Sequence, residues 1–190
     1  MKTAIIIPSK YEFNLISKNS FEGFDHMRIS GMGKVNALIA AAELIFINGV
    51  QRIILFGLAG GIKNLKLGEV IEPHTFIEGD YVDPIHNEMN CLTLSPSKLL
   101  NYSEECTMVS QDRFLYNNPY KFTHTPLATD MESYALAKIC NETMTEFHCV
   151  RIISDIVGDN VEDFSKLVKP YKLAMELVMS EISEVLCESK

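Results

Sequence analysis

Residues 52–61 carry the run Arg52-Ile53-Ile54-Leu55-Phe56 and, directly after it, Gly57-Leu58-Ala59-Gly60-Gly61. The apolar residues that follow Arg52 are continuous, which is typical of a strand buried on both faces. The glycines predict a turn in which backbone amides approach another group closely, because glycine has no side chain to prevent it. The sequence therefore predicts a buried strand that leads into a glycine-rich turn.

A second buried strand and a helix precede this stretch. Residues 4–7 form a continuous apolar run closed by Pro8, which predicts a central strand. Between Gly33 and Gly49, residues 34–47 place apolar side chains three and four positions apart, which predicts a core-facing helix with a glycine stop. The side chains expected to face the core are Val35, Leu38, Ile39, Ala42, Ile45 and Phe46.

The alternation of strands and helices continues towards the end of the chain. Residues 106–109 and 147–153 predict further strands, and residues 131–140 predict a helix between them. Apolar residues at helical spacing after Pro170 predict a last helix. This order predicts a single domain over residues 1–190, a three-layer α/β/α structure with a central mixed twisted sheet.

Composition narrows the range of partners. The chain has 190 residues, with 17 basic and 25 acidic side chains and a formal net charge of −8. Such a chain has no cationic field to attract nucleic acid or anionic lipid, so we expect neither as a partner. Apolar residues make up 47% of the chain and charged residues 22%, which is typical of a globular protein.

The cysteines and the first residues indicate a compartment. Five cysteines occur without any C-x-x-C pair or metal-ligand cluster, so we expect free thiols in a reducing cytoplasm and no metal site. The apolar stretch near Met1 is too short for a signal peptide, and no apolar tract is long enough to span a membrane. We therefore expect a cytoplasmic protein.

The segment Ser30-Gly31-Met32-Gly33-Lys34-Val35-Asn36 resembles nucleotide-binding loops only superficially. A phosphate-binding P-loop would need glycine at Arg28 and serine or threonine at Val35. A dinucleotide fingerprint would need glycine or alanine at Asn36. The segment therefore predicts a tight turn into a helix.

Three carboxylates and one arginine are candidates for chemistry. Glu132 ends a Thr129-x-x-Glu132 capping box, so it could simply cap a helix. Asp155 follows a buried strand, where it could be a helix cap or a catalytic group in the crevice outside the strand ends. Arg151 lies inside an apolar strand and needs a carboxylate partner. Glu12, soon after the first strand, could share the same sheet edge or lie on the surface.

Taken together and in order, these stretches resemble the nucleoside phosphorylase/nucleosidase superfamily, and most of all its 5′-methylthioadenosine/S-adenosylhomocysteine nucleosidase branch. The resemblance covers most of the chain and implies a phosphorylase/hydrolase-like fold. The segments that carry it are the opening strand with Glu12, Ser30 to Asn36, Gly57 to Gly61 with Leu67-Gly68-Glu69, Ser110-Gln111-Asp112-Arg113-Phe114, Thr129 to Glu132, and Arg151 to Asp155.

The resemblance implies a role for each residue of a site. Asp155 would protonate the purine at N7, Glu12 would position or deprotonate the attacking water, and Arg151 would organise water and carboxylates. The substrate-binding residues would be Glu132 on the ribose hydroxyls, Met131 against the sugar, Phe114 over the base, backbone near Leu115 at the base edge, and Ala59, Gly60 and Gly61 beside the sugar.

The implied activity is hydrolysis of the N-glycosidic bond of a purine nucleoside, with no metal or organic cofactor. Bond cleavage builds positive charge on the ribosyl carbon and negative charge on the purine, so an acid at the base and carboxylates near the sugar suit it. The alternatives are a phosphate-dependent purine nucleoside phosphorylase and a catalytically silent nucleoside-binding module. The superfamily also implies a homo-oligomer, either a dimer or a hexamer.

Several positions depart from the branch. Leu58 replaces a small polar residue, Gln111 replaces a glycine, and the region between residues 69 and 110 is short. Leu55 stands where a phosphate-binding arginine is expected, which leaves Lys10, or less readily Arg28, as the cation for phosphorolysis. The identity of the base, adenine or a 6-oxopurine, and the 5′ substituent both stay open.

Overall fold

The strand β3 (Arg52–Lys63) lies at the centre of the sheet to which the rest of the chain attaches. The computed structural model of the protein describes residues 1–95, 99–100, 106–115, 127–158 and 167–188. Within these ranges one sheet contains nine strands, which besides β3 are β1 (Thr3–Ile7), β2 (His26–Ile29), β4 (Val70–Ile71), β5 (Thr75–Glu78), β6 (Cys91–Thr93), β7 (Thr107–Ser110), β8 (Leu127–Asp130) and β9 (Glu146–Ile156).

The sheet is mixed. β3 pairs in parallel with both β1 and β9, and its last residues pair antiparallel with β8. From β8 the sheet continues in parallel through β7 to β5, while β6 and β4 pair antiparallel with β5 and β9. β1 lies between β2 and β3, so the prediction of a central strand over residues 4–7 is confirmed.

Helices cover both faces of this sheet. The α-helices whose bounds lie within the described residues are α1 (Lys10–Phe13), α2 (Lys34–Ala42), α3 (Ser133–Glu142) and α4 (Lys172–Glu188). Ala4 and Ile6 of β1 pack in a core with α2 and α3, whereas Ile5 and Ile7 pack in a second core with α4. The alternation along β1 thus separates two apolar layers, and the predicted α/β/α arrangement around a mixed sheet is confirmed.

The predicted glycine-rich turn at residues 57–61 is wrong, because β3 continues through it. Its parallel pairing with β9 runs without a break from Arg52 to Ala59 and resumes, after a bulge, at Gly60. Because the glycines of the strand have no side chains, neighbouring side chains can lie close to the strand. A Cβ on Gly57 would lie 2.5 Å from Oε1 of Glu12 and 2.8 Å from Nη1 of Arg151.

The predicted helix at residues 34–47 has the expected extent, but the prediction of its core-facing side is largely wrong. α2 continues into one π-helical turn (Glu43–Ile47), and its buried residues are mainly Ala37, Ala40, Ala41 and Leu44. Small alanine side chains let the helix lie close to the sheet, and this leaves the larger ones outside. Four of the residues expected in the core are exposed, namely Val35, Leu38, Ile39 and Phe46.

The remaining elements differ from prediction only at their ends. α3 begins two residues later than predicted, and β9 extends beyond residues 147–153 at both ends. The described cysteines are free thiols, as expected, and three of them are buried. Burial raises the pKa of Cys106, Cys140 and Cys149 to about 12, so these thiols are protonated at neutral pH.

Adding one methyl group at Gly57 should destabilise the fold. The Gly57→Ala side chain would overlap Glu12 and Arg151, and overpacking of this kind costs about 1–3 kcal/mol of unfolding free energy. Urea denaturation measures the cost. In a Glu12→Ala background one of the two overlaps is absent, so the same substitution should cost less; an equal cost in both backgrounds contradicts this account.

Candidate active site

A cavity of about 310 Å³ is lined by residues of β3, β8 and β9 and by residues that closely follow β1. Ligands of open α/β sheets bind in the crevice outside the ends of the strands, so the position is chemically suggestive. Of the residues predicted for the site, all but Arg151 and Gly61 line this cavity, namely Glu12, Ala59, Gly60, Phe114, Leu115, Met131, Glu132 and Asp155.

Glu12 reaches the cavity from α1, the short helix after β1. Ser9 caps this helix: its hydroxyl accepts a bond from the Glu12 backbone N–H and donates one to Oε2 of Glu12 at 2.5 Å. The backbone N–H of Leu58 donates to Oε1 at 2.8 Å. Burial raises the pKa of Glu12, and the bond from Ser9 and the charge of Arg151 oppose this rise. The surface alternative for Glu12 is wrong, since its side chain is buried.

Asp155 is the second-last residue of β9, and it lines the cavity. Residues 154 and 155 belong to the strand, so the alternative of a helix cap at Ser154-Asp155 is wrong. The Ser154 hydroxyl donates to Oδ1 of Asp155 at 2.8 Å. Oδ2 lies beside Gly60, where a Cβ would approach it to 3.1 Å. The absent side chain at Gly60 therefore gives the carboxylate room at the cavity wall.

Glu132 does not form the capping box that its spacing suggested. Its carboxylate accepts a bond from the backbone N–H of Gly33 at 2.9 Å and another from Nη2 of Arg151 at 3.0 Å. Burial raises the pKa of Glu132 to about 7, although the charge of Arg151 lowers it. The turn Ser30 to Asn36 thus enters α2 as predicted and in addition positions Glu132.

Arg151 lies behind the cavity wall, fully buried in β9. Nη2 donates to Oδ2 of Asp130 at 2.5 Å as well as to Glu132. Burial by itself would lower the pKa of Arg151, but the surrounding carboxylates raise it, so the guanidinium stays charged. The predicted carboxylate partner of Arg151 is therefore confirmed, and Arg151 acts on the cavity through its partners.

Asp130 is the site residue that sequence reasoning missed. It ends β8 and accepts bonds from the Ser110 hydroxyl at 2.6 Å, from the Ser133 hydroxyl and backbone N–H, and from Arg151. Its side chain thereby caps α3, a role that the sequence had suggested for Glu132. In the sequence, the one indication of Asp130 was that a buried Arg151 needs a carboxylate partner. This requirement did not identify which carboxylate.

The two departures in the site itself have small structural consequences. Leu58 lines the cavity, but it reaches Glu12 through its backbone N–H, which any residue except proline can supply. Gln111 is buried, and its side-chain amide donates to the carbonyl of Arg113 at 3.3 Å, which supports the segment before Phe114. Gly61 is not among the described residues that line the cavity, and a Cβ there would meet Ile153 and Ile156.

Neither candidate cation for phosphate binding lines the cavity. Lys10 is exposed on α1, and Arg28 pairs on the surface with Glu43 at 2.7 Å. Leu55, at the position of the expected arginine, belongs to the core. The described lining contains one basic residue, Arg113, against four carboxylates, from Glu12, Asp130, Glu132 and Asp155.

Within the described ranges, no cluster of three or more histidine, cysteine, aspartate or glutamate side chains has a geometry that could hold a metal ion. Among the helices in those ranges, none has the length and apolar character needed to cross a membrane.

Comparisons with known proteins agree with the fold and the resemblance. The 5′-methylthioadenosine/S-adenosylhomocysteine nucleosidase of Thermotoga maritima is 25% identical over 163 residues, which cover 80% of this chain and 75% of the relative. The structure of the Helicobacter pylori nucleosidase of the same name, with butyl-thio-DADMe-Immucillin-A, superposes with a TM-score of 0.79 at 18% identity and covers 99% of this chain and 98% of the other.

A second enzyme has the same fold. The futalosine hydrolase of Helicobacter pylori superposes with a TM-score of 0.76 at 17% identity over 100% of this chain and 98% of the other. The model of the phosphorylase superfamily matches residues 26–188, which include all of α2, the whole of β3 and every site residue except Glu12. This chain therefore belongs to the phosphorylase superfamily.

Proposed function

We propose that this protein hydrolyses the N-glycosidic bond of a purine nucleoside, with 5′-methylthioadenosine, S-adenosylhomocysteine or a related adenosine derivative as substrate. The observation that carries the proposal is the convergence of Glu12, Glu132 and Asp155, from three separate parts of the chain, on one cavity beside Phe114. The Thermotoga maritima relative supports the choice of substrate, since its name states this activity.

Asp155 is the proposed general acid. Breaking the bond leaves negative charge on the purine, and a proton delivered at N7 removes that charge as it develops. The carboxyl group is nearly buried at the cavity wall, and the Ser154 hydroxyl holds Oδ1 at 2.8 Å. This bond holds Oδ1, while Oδ2 lies beside Gly60.

Glu12 is the proposed group for the attacking water. Its carboxylate is held on both oxygens, by the Ser9 hydroxyl and the Leu58 backbone, and it lies near the charge of Arg151. These partners favour the ionised form that can accept a proton from water, against the opposing effect of burial. Burial is the larger effect and leaves the pKa of Glu12 raised, so Glu12 is the proposed acceptor because of its place in the cavity and its fixed carboxylate, and Asp155 is the proposed donor.

Glu132, Met131, Phe114, Leu115, Ala59 and Gly60 are the proposed substrate contacts. Glu132 would bind the ribose hydroxyls, because a carboxylate already held by Gly33 and Arg151 has a fixed orientation for two further donors. Met131 would pack on the sugar and Phe114 on the base, with backbone near Leu115 at the base edge. Arg151 would then be a positioning residue, since it contacts the cavity only through carboxylates.

Water rather than phosphate is the proposed nucleophile. A phosphate dianion needs several cationic or amide donors, whereas the described lining is dominated by carboxylates. The phosphorylase alternative, which would use Lys10 or Arg28, is therefore disfavoured. The 5′ substituent stays open, and the shared fold with a futalosine hydrolase makes a futalosine-type nucleoside a useful member of any substrate panel.

We also propose a homodimer in the cytoplasm. Val35, Leu38, Ile39 and Phe46 form an exposed apolar face along α2 and its π-helical turn. A face of this kind marks an interaction surface, and a second copy of the chain is the partner that the superfamily implies. The free thiols of the described cysteines support a reducing compartment.

Replacing Asp155 tests the proposed chemistry. Release of free base from methylthioadenosine, S-adenosylhomocysteine, aminodeoxyfutalosine, adenosine and inosine should be followed by chromatography, with and without phosphate. The wild-type protein should release base and free sugar without phosphate. Asp155→Asn keeps the shape but removes the proton, so kcat should fall by about 10²- to 10⁴-fold with KM little changed.

Asp83→Asn is the matched control, because Asp83 lies in an exposed turn and should leave kcat unchanged. Wild-type turnover by Asp155→Asn would remove Asp155 as the acid. Base release only with phosphate would make the protein a phosphorylase. Binding of these nucleosides without any release would make it a binding module.

The raised pKa of Glu132 predicts a specific pH dependence of stability. The folded protein holds the Glu132 proton up to a pH of about 7, whereas the unfolded chain loses it near 4.5. The unfolded state therefore binds fewer protons between these values, and Glu132 costs stability progressively as the pH rises through that window. The Tm of Glu132→Gln minus the Tm of the wild type should therefore increase from pH 5 to pH 7 and stay constant above pH 7.

Glu142→Gln supplies the control for this measurement. Its carboxylate is exposed and paired with Lys138, which lowers its pKa below 4.5, so its effect on Tm should be constant over the same range. A Glu132→Gln difference that is equally constant from pH 5 to pH 8 would show that Glu132 is ionised throughout.

Light scattering after size-exclusion chromatography tests the proposed assembly. The wild-type chain should elute with the mass of a dimer. Leu38→Glu together with Ile39→Lys places charges on the exposed face of α2 without changing its buried alanines, and should yield a folded monomer. A wild-type monomer, or a dimer that survives both substitutions, would contradict the proposed interface.

A further inference from the structure

The first residues of α2 bind three neighbouring strands at equivalent places. β5, β7 and β8 are parallel neighbours, with Glu78 opposite Ser110 and Ser110 opposite Asp130. Two residues beyond these positions the chain carries Asp80, Asp112 and Glu132, so the register places three acidic side chains in a row. The start of α2 crosses this row.

Each acidic residue accepts one donor from the same two residues of the helix start. The backbone N–H of Gly33 donates to Glu132 at 2.9 Å, and that of Lys34 donates to Oδ1 of Asp112 at 2.7 Å. The Lys34 ammonium binds Asp80 and also Glu78, at 2.8 Å from Glu78. The Gly33 N–H, the Lys34 N–H and the Lys34 ammonium thus bind the residues that follow β8, β7 and β5, in that order.

Asp80 closes this arrangement. One of its oxygens binds Lys34, and the other accepts the backbone N–H of Asp112 at 2.8 Å. Asp112 is therefore held from two directions, through its side chain by α2 and through its backbone by Asp80. Burial alone would raise the pKa of Asp80, but Lys34 and the Asp112 amide lower it, which keeps the pair ionised at neutral pH.

This arrangement affects the cavity, because Asp112 is followed directly by Arg113, Phe114 and Leu115, and these three residues line the cavity. We propose that Asp80, together with Lys34 and Asp112, is a positioning residue that holds the base-covering segment in place for substrate. This inference rests on the proposed function, in which Phe114 covers the purine. Asp80 does not line the cavity, so it acts through Asp112.

Asp80→Ala is the variant that tests the proposal. It removes both bonds of Asp80 at once, so KM for the nucleoside and the inhibition constant of the free purine base should each rise about tenfold, while kcat stays within about threefold. Asp80→Asn retains an acceptor and should recover much of the loss. A general loss of structure would instead lower kcat and Tm together.

Asp83→Ala is the matched control, since Asp83 lies in the same loop and caps its own turn through the N–H groups of Ile85 and His86. It breaks no bond to residues 33–34 or 112–115, so KM should not change. Unchanged KM and base inhibition in Asp80→Ala overturn the proposal, as does an equal effect in Asp83→Ala.

Amide hydrogen exchange provides a readout that does not depend on activity. The N–H of Asp112 is protected by Asp80 in the wild type, so Asp80→Ala should exchange at least tenfold faster over residues 111–115, and Asp83→Ala should not. If the wild type releases no base but this difference is seen, the proposed function fails while the positioning by Asp80 stands. If base is released but exchange is unchanged, the reverse holds.

Discussion

The buried guanidinium of Arg151 is the constraint on which the site depends. A charge removed from water must be paired, and Arg151 is fully buried in β9. The carboxylates of Asp130 and Glu132 pair with Arg151, and both accept a hydrogen bond from the same nitrogen, Nη2. The pairing joins β9 to the end of β8 and the start of α3, and these elements form one wall of the cavity.

The same charge reaches across β3 to the other wall. Nη1 of Arg151 and Oε1 of Glu12 both lie within 3 Å of the place where a Gly57 side chain would begin, so the lack of a side chain at Gly57 lets the two groups approach each other. A single cation thereby acts on two carboxylates with different proposed tasks, Glu12 for water and Glu132 for ribose. Burial has the largest influence on both and raises their pKa values, whereas the charge of Arg151 lowers them.

Much of the fold was predictable because its signals are local. The apolar run of β1 and the order of strands and helices predicted the layers, and six short motifs in order predicted the superfamily. The predictions failed where packing partners decide. Glycines at 57–61 read as a turn, but they are strand residues whose missing side chains admit Glu12 and Asp155. Helical periodicity located α2 but could not show that its alanines, rather than its larger residues, face the sheet.

The chemistry of single residues predicted the carboxylate partner of Arg151, whereas the resemblance predicted most of the residues that line the cavity. Asp130 escaped because nothing local distinguishes it from Glu132 two residues later, and only the register of β7 with β8 brings Ser110 beside it. Register also aligns Asp80, Asp112 and Glu132, which are more than fifty residues apart at the extremes of the row. All three lie two positions past the paired residues of their strands, and all three bind Gly33 or Lys34. The turn at Gly31 to Gly33, with positive φ at both glycines, supplies those donors by directing the first amides of α2 across the strand ends.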